Sequence, residues 1–236
     1  MKKIIVMIML LCSMTVIARA EGKQYLGVQV GFAQPISRLN NPNSVNIKEL
    51  KSNVYNGFKI GAVYDATIIK GFGYTLGLNY TFGASNTEWK NSNSVSTAQS
   101  RYKKQLHQLE LVVDWQYKFE IAQDTWVILY SGPTVQCGLR FQESTYYREG
   151  PNYSEQHHYT ADKNLYTDET LYPIKRLNVT WGIGAGFQYE RYFLRGGYDF
   201  GIINPYQSLM FEGRDIYTRG RFDQWQIKLG VYLWEK

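Results

Sequence analysis

Cysteine is almost absent from this sequence, and its scarcity narrows the possible chemistry. Only two cysteines occur in 236 residues. Cys12 lies in an apolar segment at the amino terminus, so Cys137 is the one cysteine in the rest of the chain. A single thiol cannot form an intramolecular disulfide or a cysteine-based metal site. Both are therefore excluded beyond the amino-terminal segment.

Long apolar runs are also missing after residue 20. No later stretch approaches the roughly 18 consecutive apolar residues that a transmembrane helix requires. Aromatic residues and glycine are plentiful instead, with 20 Tyr, 11 Phe, 6 Trp and 21 Gly. This mixture suits a barrel with aromatic girdles outside and small residues inside. If the chain crosses a membrane, it does so as β-strands.

A strong excess of one charge is lacking as well. Lys and Arg number 26 against 20 acidic residues, but Lys2, Lys3 and Arg19 fall in the first 20 residues. Without them the totals are 23 and 20, and the two signs are interleaved with no basic stripe. Nucleic acid is therefore not an expected partner.

The first 20 residues are predicted to be an export signal. Two lysines precede an apolar run of about 14 residues, which is short for a membrane-spanning helix. Ala18 and Ala20 form the small-x-small pattern of a signal peptidase site, which predicts cleavage before Glu21. Leucines precede Cys12 where a lipid-attachment site needs small residues, which disfavours a lipoprotein. The mature domain is then 21–236, a single unit.

Alternation of apolar and polar residues is the main structural signal. Side chains of a β-strand point to opposite faces in turn, so a period of two marks a strand with two different surroundings. Eight segments show this period, and each carries an apolar face about 9–12 residues long, enough for a tilted strand to cross a bilayer. The segments are 25–33, 57–67, 72–83, 106–119, 126–141, 177–189, 192–203 and 223–234.

The connections between these segments alternate between long and short. The short ones, near 67–71, 120–125 and 190–191, fit periplasmic turns, and the long ones fit external loops. The fold class predicted is all-β: an eight-stranded antiparallel up-and-down transmembrane β-barrel with short periplasmic turns and long extracellular loops. A secreted soluble β-sandwich is the alternative. Pro133 interrupts one segment, which predicts a bulge at Gly132 and Pro133.

Charged residues on the polar faces predict an internal network. Strand parity points four basic and four acidic side chains into the lumen, where an eight-stranded barrel has room only for its own side chains. We expect Arg140 and Arg195 to pair with Glu110, Asp114 or Asp199, because unpaired buried charges are costly. The lumen would then be plugged. The residues are Lys59, Asp65, Glu110, Asp114, Arg140, Arg195, Asp199 and Lys228.

Several stretches resemble a known family. They are His107–Leu111, Tyr117–Phe119, Tyr130–Pro133, Gly197–Asn204 and Lys228–Trp234. Together they are similar to the outer-membrane protein β-barrel domain family, which includes PorT-like proteins and small OmpA-like porin-family barrels. The resemblance implies an integral protein of the Gram-negative outer membrane. It also implies outer-membrane lipid and the barrel-assembly machinery as partners, and it assigns no activity.

The third long connection, 142–175, is rich in tyrosine. Tyrosine offers a large contact area with a polar tip at low entropic cost, which suits a surface that binds another molecule. The alternative is that these residues only extend the barrel above the membrane. The tyrosines are Tyr146, Tyr147, Tyr153, Tyr159, Tyr166 and Tyr172.

Candidate chemical sites are few. His157 and His158 with nearby acids could ligate zinc, although a solvated loop explains them better. His107 and Ser100 are the one candidate core of a catalytic site at the rim, and no motif supports it. No cofactor is expected. We predict a non-enzymatic barrel with a structural role or a surface-binding role toward a surface or periplasmic protein. A passive channel and a lipid- or peptide-cleaving enzyme are the alternatives.

Overall fold

The computed structural model describes most of the region beyond the predicted export signal. The described residues are 22–40, 53–86, 88, 90–91, 99–148, 158–164, 174–205, 209–211, 214–216 and 219–236. The predicted export signal with Ala18 and Ala20, and Tyr153, His157, Tyr166 and Tyr172, lie outside them. No described helix is long and apolar enough to cross a membrane.

Eight long strands in the described part of the chain form one closed wall. Each is antiparallel to the next, and the last pairs with the first over 16 positions, from Tyr25↔Glu235 to Asn40↔Arg219. This confirms the predicted eight-stranded up-and-down barrel. The strands are β1 (Gln24–Asn40), β2 (Asn56–Ile69), β3 (Phe72–Asn86), β4 (Gln99–Ala122), β5 (Thr125–Arg148), β6 (Leu177–Tyr189), β7 (Tyr192–Gly201) and β8 (Arg219–Glu235).

Short strands accompany the wall at one end of the barrel. Asn53–Val54 pairs with β1, Lys90–Asn91 with β4, and His158–Asn164 with β5, while Leu209–Phe211 and Arg214–Ile216 pair with each other. We call this the loop end. The opposite end, the turn end, carries the first described residue, Gly22, the last residue, Lys236, and the two-residue turns at 70–71, 123–124 and 190–191. The loop end is the predicted extracellular side.

The tight turns explain the positive backbone angles in the described residues. Lys70, Asp124 and Glu190 have φ values of 42°, 55° and 48°, and Gly71 has 85°. Two-residue hairpins of this kind require left-handed residues because their twist then matches that of the strands. Gly71 is also crowded, since an added Cβ would lie 2.4 Å from the carbonyl oxygen of Lys118.

The two faces of the wall have opposite character. Large apolar side chains point outward with roughly half their surface exposed, whereas polar and charged side chains fill the inside. A continuous apolar surface of this extent is unfavourable in water and favourable against lipid. The outward residues include Leu26, Val30, Phe58, Ile60, Leu78, Leu111, Leu129, Ile183, Leu194, Leu229 and Leu233.

β4 and β5 are much longer than predicted. Each has 24 residues, so the hairpin rises well beyond the apolar belt at the loop end. The prediction that 142–175 is entirely a loop was wrong, because 142–148 continue β5 and pair with His158–Asn164. Tyr146 and Tyr147 therefore lie on a strand, as does Tyr159.

A bulge in β5 overturns part of the predicted strand parity. His107 pairs with Arg140 and Gln108 with Gly138, which leaves Leu139 as an extra residue. Beyond it Phe141 points into the barrel at 2% exposure, and Arg140 points outward beside His107. The alternation in segment 126–141 predicts Arg140 inside and Phe141 outside, and both predictions are wrong because the extra residue inverts the alternation.

The predicted bulge at Gly132 and Pro133 does not form. β4 and β5 keep one register on both sides of this point, from Val112↔Thr134 to Trp115↔Ser131. Local side-chain bonds accompany the proline instead. The Ser131 hydroxyl donates to the Gly182 carbonyl at 2.9 Å, and the indole of Trp181 donates to Ser131 at 2.9 Å.

Candidate functional site

The lumen contains two groups of buried charges. Seven of the eight residues predicted there are at most 4% exposed, and Arg140 is the exception. Lys118 of β4 is a further inward cation at 9% exposure. With Lys118 in place of Arg140, the two groups of buried charges still contain four cations and four anions. Lys118 was not among the predicted internal residues. It lies two residues after the inward Gln116, so the period of two could have placed it inside.

The turn-end ion cluster comprises Asp65, Lys118 and Arg195. One carboxylate oxygen of Asp65 accepts from Arg195 at 2.7 Å, and the other accepts from Lys118 at 3.0 Å. Tyr232 and Gln116 also donate to this carboxylate, at 2.6 and 2.7 Å. The predicted pairing of Arg195 with Glu110, Asp114 or Asp199 was wrong. Its bonded acid, Asp65, is 130 residues away in sequence.

The central ion cluster comprises Lys59, Glu110, Asp114, Asp199 and Lys228. Lys59 forms an ion pair with Glu110 and donates to Gln226 at 2.5 Å. Glu110 also accepts bonds from three neutral side chains, those of Thr81, Gln108 and Gln224. The Gln226 amide donates to Asp199 at 2.9 Å, and Asp114 of β4 and Lys228 of β8 are buried in the same lumen. Gln226 thus links Asp199 to the ion pair of Lys59 and Glu110.

Apolar side chains close the lumen at the loop end. The loop-end apolar layer comprises Tyr55, Leu106, Phe141, Ile174 and Phe222. Phe141 lies at the centre, with its ring 5.7 Å from Tyr55 and 6.3 Å from Phe222. The layer follows Gln108 and Gln224 along their strands and therefore covers the central ion cluster. The simple alternation in segment 126–141 puts Phe141 on the outer face and therefore does not predict this layer.

An aromatic group also fills the turn end. The turn-end apolar layer comprises Tyr25, Val63, Phe193 and Tyr232. The ring of Tyr232 is 4.8 Å from Tyr25 and 4.7 Å from Phe193. The Lys118 ammonium lies 5.2 Å from the ring of Tyr25. This layer therefore packs directly against the turn-end ion cluster.

Two cavities lined by described residues lie near opposite ends of the lumen. A vestibule of about 510 Å³ opens at the turn end, and Lys118 and Gln188 line it. Near the loop-end apolar layer the cavity bounded by Leu106, Gln108 and Phe222 measures about 20 Å³. That volume holds about one water molecule. The lumen narrows from an open mouth to a packed interior.

The candidate catalytic residues do not converge, and the candidate metal residue His157 lies outside the described residues. Ser100 and His107 lie seven residues apart on β4, which is about 23 Å along a strand. The hypothesis that they share a rim site is therefore wrong. His107 instead contacts the Tyr80 hydroxyl through Nδ1 at 2.6 Å. Among the described residues no group of three or more His, Cys, Asp or Glu could hold a metal ion.

The extended β4–β5 hairpin at the loop end combines charge with tyrosine. Lys104 and Glu143 form an ion pair at 2.9 Å across the two strands. The Arg101 guanidinium lies 5.3 Å from the centre of the Tyr146 ring. Tyr146 belongs to the predicted tyrosine surface and has a described side chain, which stacks on the Arg101 guanidinium.

Comparison with known proteins places the chain in a family. Residues 19–207 match the family model described as an outer membrane protein beta-barrel domain. No curated protein matches the chain.

Solved barrels match at low identity. Ail, the attachment invasion locus protein of Yersinia pestis, is 10% identical, with 89% of this chain and 98% of Ail covered and a TM-score of 0.40. Neisserial surface protein A is 13% identical, with 90% and 100% covered and a TM-score of 0.41. The amino-terminal barrel of Pseudomonas aeruginosa OprF is 11% identical, with 86% and 97% covered and a TM-score of 0.28. The family match spans most of the chain, and the chain therefore belongs to the outer membrane β-barrel domain family, whose members are integral proteins of the Gram-negative outer membrane.

Proposed function

We propose that this protein is a closed, non-enzymatic barrel that anchors a surface-binding hairpin in the outer membrane. The observation that carries the proposal is the filled lumen. Paired charges occupy its centre, and the loop-end apolar layer covers them. A permanently open path would instead need a water-lined gap between these side chains.

The free-energy barrier to an ion entering the lumen is high. A hydrated ion that enters would have to separate Lys59 from Glu110 or Arg195 from Asp65, both pairs being almost fully buried. Breaking a buried pair leaves an uncompensated charge and costs about 3–5 kcal/mol. Several such pairs lie in series with the packed rings of Tyr55, Phe141 and Phe222. Each layer adds to the barrier against a solute.

The long hairpin of β4 and β5 supports the surface-binding role. Its strands continue pairing from His107↔Arg140 up to Gln99↔Arg148, beyond the apolar belt. Such a projection contributes nothing to crossing the membrane. The ion pair Lys104–Glu143 and the stacked Arg101 and Tyr146 stiffen it, and a rigid surface loses less entropy on binding a partner.

Planar-bilayer recording tests the closed lumen. We expect the wild-type barrel to insert without steady conductance. The double variant Lys59→Ala/Glu110→Ala removes two long side chains from the lumen and should show a small conductance that the wild type lacks, limited by the intact loop-end apolar layer. Its matched control, Lys59→Met/Glu110→Gln, keeps the volume without the charges and should remain closed. Insertion of each variant is verified by the heat-dependent shift of folded barrels in gel electrophoresis. Large, steady wild-type conductance would replace this proposal with the passive channel.

A further inference from the structure

An unusual carboxylate lies on the lipid-facing side of the barrel wall. Asp223 of β8 shares its face with the exposed residues Trp225 and Ile227, yet the Asp223 side chain has no exposed surface. An acidic side chain that points outward next to lipid is unfavourable unless it is hydrogen-bonded or ion-paired. The groups that cover Asp223 therefore form an ordered polar site on the outer wall.

Four donors satisfy this carboxylate. Arg38 Nε and Arg221 Nε donate to Oδ2 at 2.8 and 3.0 Å, and the Tyr198 hydroxyl donates to the same oxygen at 3.0 Å. The Gly201 amide donates to Oδ1 at 3.0 Å. Three neighbouring strands, β1, β7 and β8, thus meet at one residue.

The arrangement holds two guanidinium groups side by side. Arg38 and Arg221 are direct partners in the β1–β8 register. Both use Nε toward Asp223, and about half of each side chain, 47% and 49%, stays exposed. Two cations with one anion leave one net positive charge. We call these two residues the outer-wall arginine pair.

The height of the outer-wall arginine pair matches the lipid headgroups. Arg38 is 12 residues from Leu26, the start of the apolar belt on β1, and Arg221 is 12 residues from Leu233 on β8. With a strand rise of about 3.3 Å and a tilt of about 40°, this is roughly 30 Å along the membrane normal. The apolar band of such barrels is about 25 Å tall.

An interfacial aromatic marks the same boundary. Trp225 lies two residues closer to the membrane centre than Asp223, and its indole donates a hydrogen bond to Gln34 of β1. Tryptophan prefers the interface between hydrocarbon and headgroups because one edge is polar. The outer-wall arginine pair therefore lies just outside the hydrocarbon, in the leaflet at the loop end.

We propose that Arg38 and Arg221, positioned by Asp223 and Tyr198, bind a phosphate group of a phosphorylated glycolipid in the outer leaflet. Paired guanidinium groups are suited to phosphate because they donate several charge-assisted bonds in a fixed geometry. The ligand is a lipid because the site opens sideways from the wall, beside the exposed apolar residues Phe200 and Ile202. The proposal is independent of whether the lumen conducts.

Lipid binding by the purified barrel in detergent tests the site, with native mass spectrometry as the readout. The probe is bisphosphorylated lipid A, compared with the same lipid after enzymatic removal of its phosphates. The variant Arg38→Gln/Arg221→Gln should weaken binding at least tenfold. Arg140→Gln is the matched control, since Arg140 is an exposed outer-wall arginine on β5 with no ion pair to an acid in the described structure. This control should bind as the wild type does.

Asp223→Asn supplies a second variant that keeps both arginines. It should also weaken lipid A binding, because the carboxylate no longer orients the two guanidinium groups. Equal loss in Arg140→Gln, equal binding of the dephosphorylated lipid, or unchanged binding by the double variant would each overturn the proposal. Full displacement of lipid A by millimolar inorganic phosphate would do so too, by showing a site for free phosphate. Folding of every variant is checked by the heat-dependent gel shift.

Discussion

Single charged residues in the lumen have a large effect on the free energy of unfolding. Glu110 is fully buried and accepts bonds from Lys59, Thr81, Gln108 and Gln224. A carboxylate in this position is favourable only because its partners are preorganised around it. Its removal would leave the Lys59 ammonium buried without its anion.

Replacing Glu110 by Ala should therefore lower the free energy of unfolding by about 3–5 kcal/mol, the usual cost of breaking a buried pair from one side. Urea unfolding of the barrel in lipid vesicles, followed by tryptophan fluorescence, measures the change. Lys59→Met/Glu110→Gln serves as the control, because it removes both charges and should lose much less stability. Equal stability of Glu110→Ala and wild type would show that Lys59 finds another anion.

At the scale of the strand, one extra residue decides which side chains enter the lumen. The bulge at Leu139 places Phe141 inside and Arg140 outside, which creates the loop-end apolar layer. A strand without the bulge would continue the simple alternation and invert every side chain above it. The bulge is thus the local feature that switches the lumen from polar to apolar.

Deleting Leu139 should prevent correct assembly of the barrel, because Phe141 would face outward and Arg140 would enter the packed lumen. The fraction of protein showing the heat-dependent gel shift after refolding measures this outcome. Leu139→Ala keeps the register and should fold nearly normally. Normal folding of the deletion variant would mean that β5 can shift its pairing with β4 at no cost.

The whole molecule has two chemically different ends, and their orientation follows from the connections. The turn end has two-residue turns such as 123–124, whereas the loop end carries the extended far ends of β4 and β5, at 99–105 and 142–148. Outer-membrane barrels place short turns in the periplasm and long connections outside the cell. The open vestibule at the turn end therefore faces the periplasm.

Cysteine labelling of intact cells measures this orientation. In a Cys137→Ser background, an impermeant maleimide should label Glu88→Cys at the loop end and spare Gln123→Cys at the turn end. Both positions are exposed in the structure, so access through the membrane is the one difference. Lysed cells should label both variants. The reverse pattern on intact cells would show an inverted barrel.

The wall of this protein could be predicted from the amino-acid pattern alone. Alternation is a local property with a period of two, so the eight strands, their apolar faces and the membrane location could be predicted without knowing which residues meet. Parity likewise placed Lys59, Asp65 and Arg195 inside. Processing at Ala18 and Ala20 stays a prediction.

The contacts made inside and around that wall depend on the three-dimensional arrangement of the strands. Asp65 bonds Arg195 rather than its neighbours in sequence because strand tilt and stagger, which no local pattern records, set the heights at which side chains meet across the lumen. The loop-end apolar layer and the cradle around Asp223 arise in the same way. Each joins distant strands, and the contacts exist only once the ring has closed.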